Sequence, residues 1–68
     1  MTLGEKIKAL RLEHCLSQEA LANKLFVSRQ TVTKWETNKS LPDIPKLAAL
    51  SKFLEINIDN LLSDVSFD

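Results

Sequence analysis

The stretch SQEALANKLFVSRQTVTKWE, residues 17–36, has the pattern of two short helices joined by a very short turn. Ser17 and Ser28 each stand one position before a helical pattern, where a hydroxyl side chain caps the free N–H groups of a helix start. Phe26 lies between the two helices, at a point where a tight turn usually has glycine. Such a short connection predicts a fixed angle between the two helices.

The same signals predict helices on either side of this stretch. Thr2 and Glu5 have the spacing of a capping box, which places a first helix at about residues 3–14. Asp43 is the expected cap of a fourth helix, IPKLAALSKFL. Pro45 lies in the first turn of that helix, where its missing N–H group needs no partner.

A short fifth helix is expected after Asn57, and period-two alternation is too weak to predict strands. The sequence therefore predicts an all-α fold, a compact bundle of five short helices. We expect a single domain over residues 1–68, with its two-helix core at 17–36 and a loosely structured tail at 63–68.

Composition excludes several classes of protein. The chain has one cysteine and one histidine, too few for an internal disulfide or a Cys/His zinc cluster. No apolar run approaches the roughly 18 residues of a membrane span, and no signal peptide is evident. We expect a soluble cytoplasmic protein with no membrane association, bound metal or cofactor.

The net charge of zero hides a division along the chain. Residues 1–40 contain seven Lys and Arg against four Asp and Glu, whereas residues 41–68 contain two against five. The first part is therefore basic and the second acidic, and this asymmetry is more informative than the sum.

The third helix has one wholly polar face without an acidic residue. Its side chains lie within an arc of about 140° and are of the types that hydrogen-bond base edges or phosphates. By itself such a face is more often an ordinary solvated surface, but the closely preceding helix favours DNA recognition. The face consists of Arg29, Gln30, Thr33 and Lys34.

Residues 3–63, with SQEALA, VSRQTVTKWE and SLPDIPKLAALSKFLEINIDNLL in sequence, closely resemble the Cro and phage repressor type helix-turn-helix domain of bacterial and phage regulators. The resemblance implies a lambda-repressor-like fold. It also implies a sequence-specific transcription regulator, most often a repressor, that is not an enzyme and reads double-stranded DNA. A homodimer on DNA is expected because one module this small is too weak and unselective alone.

The resemblance assigns roles to particular residues. Gln18 occupies a position at the start of the second helix whose side chain typically contacts a phosphate. The resemblance also places Asn38 and Lys39 near the DNA backbone. Arg11 and Glu36 match an ion pair common in the family, although the two could instead be separate solvated charges. The residues assigned to DNA are Gln18, Ser28, Arg29, Gln30, Thr33, Lys34, Asn38 and Lys39.

Relatives often have glycine where this chain has Cys15, Phe26 and Asn38, so left-handed backbone is expected at all three. A side chain there costs about 1 kcal/mol or more. We expect the ring of Phe26 to offset this cost by lying against a neighbouring helix.

Other residues that could suggest chemistry have simpler interpretations. Cys15 is expected to be a helix-end residue, His14 a partly buried histidine and Trp35 a core residue rather than a base-stacking one. A rival function remains: the acidic second part, with its apolar residues, could dock a protein partner, as in an antitoxin or scaffold.

Overall fold

The computed structural model describes residues 1–65 and contains five α-helices. They are α1 (Leu3–Glu13), α2 (Gln18–Leu25), α3 (Arg29–Glu36), α4 (Ile44–Phe53) and α5 (Ile58–Leu62). No strand occurs among these described residues, so the predicted all-α bundle of five short helices is confirmed.

Each helix begins at the predicted cap. The Oγ atoms of Ser17 and Ser28 accept hydrogen bonds from Ala20 N (3.0 Å) and Thr31 N (3.2 Å). Asp43 and Asn57 cap α4 and α5 in the same way. These bonds satisfy N–H groups that have no partner within the helix, which is why the starts were readable from sequence.

The capping box at the start of α1 is complete. Glu5 N donates to Thr2 Oγ1 at 3.1 Å, and Thr2 N donates to Glu5 Oε1 at 2.8 Å. The Thr2 backbone N–H, followed by the Thr2 hydroxyl, lowers the pKa of the Glu5 carboxyl by stabilising its charged form.

All five helices contribute to one hydrophobic core. Trp35 is buried in it, as predicted, and so cannot stack on a base. The largest fully buried side chains of the core are Ile7, Leu21, Leu25, Val32, Leu50, Leu54 and Leu61. No helix within residues 1–65 is long and apolar enough to cross a membrane.

The predicted left-handed backbone at Cys15, Phe26 and Asn38 is confirmed by φ angles of 56°, 58° and 62°. Glu55 and Asp64 also have positive φ, so a left-handed residue follows every helix. These last two positions were not predicted: Glu55 is not of a type that favours this conformation, whereas Asp64 is, because aspartate is enriched at positive φ.

The predicted position of the Phe26 ring is wrong, since this residue is 92% exposed. Phe26 N donates to Asn23 O and Val27 N donates to Ala22 O (3.0 Å), the two bonds of a Schellman motif. In this motif the following residue packs against the helix, and Val27 is indeed partly buried against the core. Val27, and not Phe26, is therefore the residue of this turn that packs against the core.

Phe26→Gly is therefore expected to stabilise the fold by about 1 kcal/mol, because glycine adopts positive φ without a steric penalty. Thermal denaturation will measure this gain. Phe26→Ala is the matched control: it removes the ring but keeps a Cβ, and should be close to neutral. A loss of stability in both variants would show that the Phe26 ring stabilises the fold although it is exposed.

The only glycine lies where α1 meets the end of α3. A Cβ atom on Gly4 would stand 2.3 Å from Trp35 O and 2.8 Å from both Glu36 O and Asn38 Oδ1. Gly4 N also donates to Asn38 Oδ1 at 3.2 Å. The absence of a side chain thus allows the start of α1 to touch the C-terminal carbonyls of α3.

The tail expected at 63–68 extends past the described part of the chain, and residues 66–68 lie outside it. Within the described part, the Met1 ammonium group donates to Asp64 O at 3.2 Å, and Val65 packs partly buried against the core.

Candidate nucleic-acid interface

The exposed face of α3 forms a shallow concave surface that encloses a volume of about 290 Å³. It contains three cationic and three neutral polar side chains and no carboxylate. The lining residues are Arg29, Gln30, Thr33, Lys34, Thr37 and Lys39. The structure thus brings together five of the eight side chains assigned to DNA from sequence.

Thr37 is the lining residue that sequence reasoning missed. It follows Thr33 by four residues and so continues the same helical stripe, a signal that was available in the sequence. Its hydroxyl donates to Thr33 O at 2.7 Å, a carbonyl that also accepts from the Thr37 backbone N–H at 3.0 Å.

Four side chains on this surface are free to bind a ligand. Arg29, Gln30, Lys34 and Lys39 are exposed, and within residues 1–65 none of them makes a side-chain hydrogen bond or ion pair. Guanidinium, carboxamide and ammonium groups can donate to the N7 and O6 atoms of guanine, and a carboxamide can pair with adenine.

The three assigned side chains that lie outside this surface make contacts within the protein. The Ser28 hydroxyl caps α3 through Thr31. Asn38 accepts a hydrogen bond from Gly4 N and donates to Thr2 Oγ1 at 3.0 Å. Gln18 lies between α2 and α3, where its carboxamide contacts two side chains of α3.

Arg11 and Glu36 form a buried, bidentate ion pair. Arg11 Nε lies 2.7 Å from Glu36 Oε2, and Arg11 Nη2 lies 3.1 Å from Glu36 Oε1. Arg11 Nη1 also donates to Leu16 O at 2.8 Å. The two residues are 7% and 8% exposed, so they are not separate solvated charges. The pair ties α1 to the end of α3.

Within residues 1–65, the cysteine and the histidine do not form a second site. Cys15 has an exposed thiol, and His14 Nε2 lies 2.8 Å from Leu54 O in a partly buried contact. The part of the chain that the structure describes contains no group of three or more His, Cys, Asp or Glu side chains placed to hold a metal ion.

A short helix packed across a second helix, whose free polar face lines a carboxylate-free surface, defines a helix-turn-helix domain. The helix-turn-helix family profile matches residues 7–61, and the chain belongs to this family.

Individual relatives agree with this assignment. The chain is 44% identical over 63 residues to the HTH-type transcriptional activator BcrR of Enterococcus faecalis, covering 93% of this chain and 31% of BcrR. It is 37% identical over 60 residues to repressor protein C2 of Salmonella phage P22, covering 88% of this chain and 28% of C2. The chain therefore spans about a third of the length of these two relatives.

A solved structure extends the likeness to three dimensions. The crystal structure of the P22 c2 repressor in complex with a synthetic operator superposes with a TM-score of 0.86 at 35% sequence identity. The match covers 93% of this chain and 96% of that one.

Proposed function

We propose that this chain is the sequence-specific DNA-binding domain of a transcription regulator, and that α3 reads operator half-sites in the major groove. The observation that carries the proposal is the carboxylate-free surface on which Arg29, Gln30 and Lys34 have no partner within residues 1–65. Free donors at such a surface suit the acceptor-rich edge of guanine and the phosphate backbone. The operator complex of the P22 c2 repressor supports the same use of the fold.

Repression is the direction of regulation that we propose. Occupying a promoter is enough to repress it, whereas activation needs an additional contact with the transcription machinery. We further propose that the protein acts in the cytoplasm, without enzymatic activity or a cofactor, and binds DNA as a homodimer. A single domain buries only about 600–1,000 Å² on DNA, so two copies on half-sites about 34 Å apart would supply the selectivity.

The first experiment is a selection of bound sites from random double-stranded DNA, followed by titration of the selected site at two salt concentrations. We expect a defined site and a steep loss of affinity with salt, because Arg29, Lys34 and Lys39 displace counterions from phosphates. Binding to no DNA at either salt concentration would contradict the proposal and favour a protein partner instead.

Gln30→Ala is expected to relax base preference at one position of each half-site, at a cost of about 1–3 kcal/mol for the selected operator. The side chain is exposed at the surface and makes no hydrogen bond within residues 1–65. Affinities for operators altered at one base pair at a time will measure the effect.

Lys39→Ala is the comparison, because a lysine that contacts phosphate carries no sequence information. It should weaken all operators about equally and reduce the slope of log affinity against log salt by about 1. If Gln30→Ala also weakens all operators equally, Gln30 does not read a base.

A further inference from the structure

A continuous chain of hydrogen bonds runs from the buried ion pair to the polar face of α3. Glu36 Oε1, which accepts from Arg11, also accepts from Gln18 Nε2 at 3.0 Å. Gln18 Oε1 in turn accepts from Thr33 Oγ1 at 3.0 Å. Four side chains from three helices are therefore connected, and the chain ends at a residue that lines the concave surface.

The two ends of the Gln18 carboxamide contact two different groups, and each end suits the group that it contacts. The Gln18 amide nitrogen can only donate and faces a carboxylate, whereas its amide oxygen can only accept and faces a hydroxyl. A carboxylate at position 18 would face that of Glu36, and an apolar side chain would leave both neighbours without this bond. The carboxamide therefore fits this position through its two different ends.

Thr33 is also committed to the protein. Its hydroxyl has one hydrogen, and two acceptors of the protein lie within reach of it, Gln18 Oε1 at 3.0 Å and Arg29 O at 3.1 Å. The hydroxyl can offer only a lone pair to a ligand, so it is not available to donate to a base acceptor. This differs from the base-edge role expected of Thr33 from sequence.

We propose that Gln18 and Thr33 are positioning residues, which fix the orientation of α3 against α2 and so determine sequence selectivity without reading bases. The inference rests on the proposed DNA-binding function. Arg29 precedes Thr33 by one helical turn and Lys34 directly follows it, so a rotation of α3 displaces both reading side chains. Recognition of this kind requires side chains held within about 0.5 Å and 10–20°.

The test compares Gln18→Met, Thr33→Val and the double variant with the wild-type protein on selected and on unrelated DNA. Each single variant is expected to lower the ratio of specific to non-specific affinity about tenfold. Non-specific affinity and its salt dependence should stay unchanged, because no phosphate-binding cation is removed. The double variant should lose no more than a single one, because both changes break the same connection.

The profile of base preference distinguishes positioning from reading. Gln18→Met should broaden preference at several base pairs together, whereas loss of a reading residue affects one. Thr33→Ser keeps the hydroxyl and should retain wild-type selectivity, so the pair Thr33→Ser and Thr33→Val carries the test if Gln18→Met does not fold. Asn23→Ala, which removes an exposed amide from the same helix as Gln18, is the control expected to behave as wild type.

Other results would overturn the inference. Equal loss on selected and unrelated DNA would make Gln18 a phosphate contact, and additive losses would make the two residues independent. Loss of selectivity in Thr33→Ser as well as Thr33→Val would exclude the hydroxyl as the determinant. Failure of the wild-type protein to bind any DNA would instead contradict the proposed function, and is seen before any variant is made.

Discussion

Glu36→Gln is expected to destabilise the fold by about 3–5 kcal/mol, because it leaves the Arg11 guanidinium buried without its counter-charge. Each kcal/mol lowers the melting temperature of a domain this small by about 4–8 °C. The loss is comparable with the whole stability of many small domains, so much of the protein should be unfolded at room temperature. Thermal and urea denaturation followed by circular dichroism will measure the loss.

Two further variants distinguish the effect of breaking the ion pair on stability from the effect of losing one negative charge. Glu13→Gln removes an exposed carboxylate at the end of α1 and should change stability little. Arg11→Met combined with Glu36→Met removes both charges and should recover part of the loss, because no buried charge is then stranded. An unchanged melting temperature in Glu36→Gln would show that the pair does not hold the helices together.

Gly4→Ala is expected to cost about 1–3 kcal/mol or more, the reverse of the gain usual for this change within a helix. The added methyl group would meet the Trp35 and Glu36 carbonyl oxygens at 2.3 and 2.8 Å, and backbone atoms cannot rotate away as a side chain can. Helices α1 and α3 would have to separate. Denaturation will measure the cost, and weaker operator binding is expected beside it because α3 is displaced.

The third atom near this methyl group belongs to a side chain, Asn38 Oδ1 at 2.8 Å. Asn38→Gly removes that atom while suiting the positive φ at position 38. In the Asn38→Gly background, Gly4→Ala should remain destabilising, because the backbone contacts persist. Full recovery there would place the conflict with the Asn38 side chain rather than with α3 itself.

The sequence predicted features that depend on near neighbours along the chain. A capping residue acts within three positions, so Ser17, Ser28 and Asp43 could be identified without a structure. The polar face of α3 was equally accessible, because helical periodicity alone places Arg29 and Lys34 on one side.

Features that depend on distant parts of the chain could not be predicted in the same way. Asn38 bonds to Gly4, which is 34 positions away, and Gln18 bonds to Glu36 across the helix pair. These contacts exist only once α1, α2 and α3 have packed. The position of the Phe26 ring was mispredicted for a different, local reason: the backbone of the turn lets Val27 rather than Phe26 cover the end of α2.

The separation of tasks within α3 has an evolutionary consequence. Val32, Trp35 and Glu36 are buried and hold the helix, whereas the Arg29, Gln30 and Lys34 side chains make no hydrogen bond within residues 1–65. Exchanging these three for other polar side chains should therefore cost little folding free energy, since exposed positions without such contacts usually change it by less than about 0.5 kcal/mol. Under the proposed function, gene duplicates of this domain could diverge toward new operators through a few codons, without compensating mutations in the core.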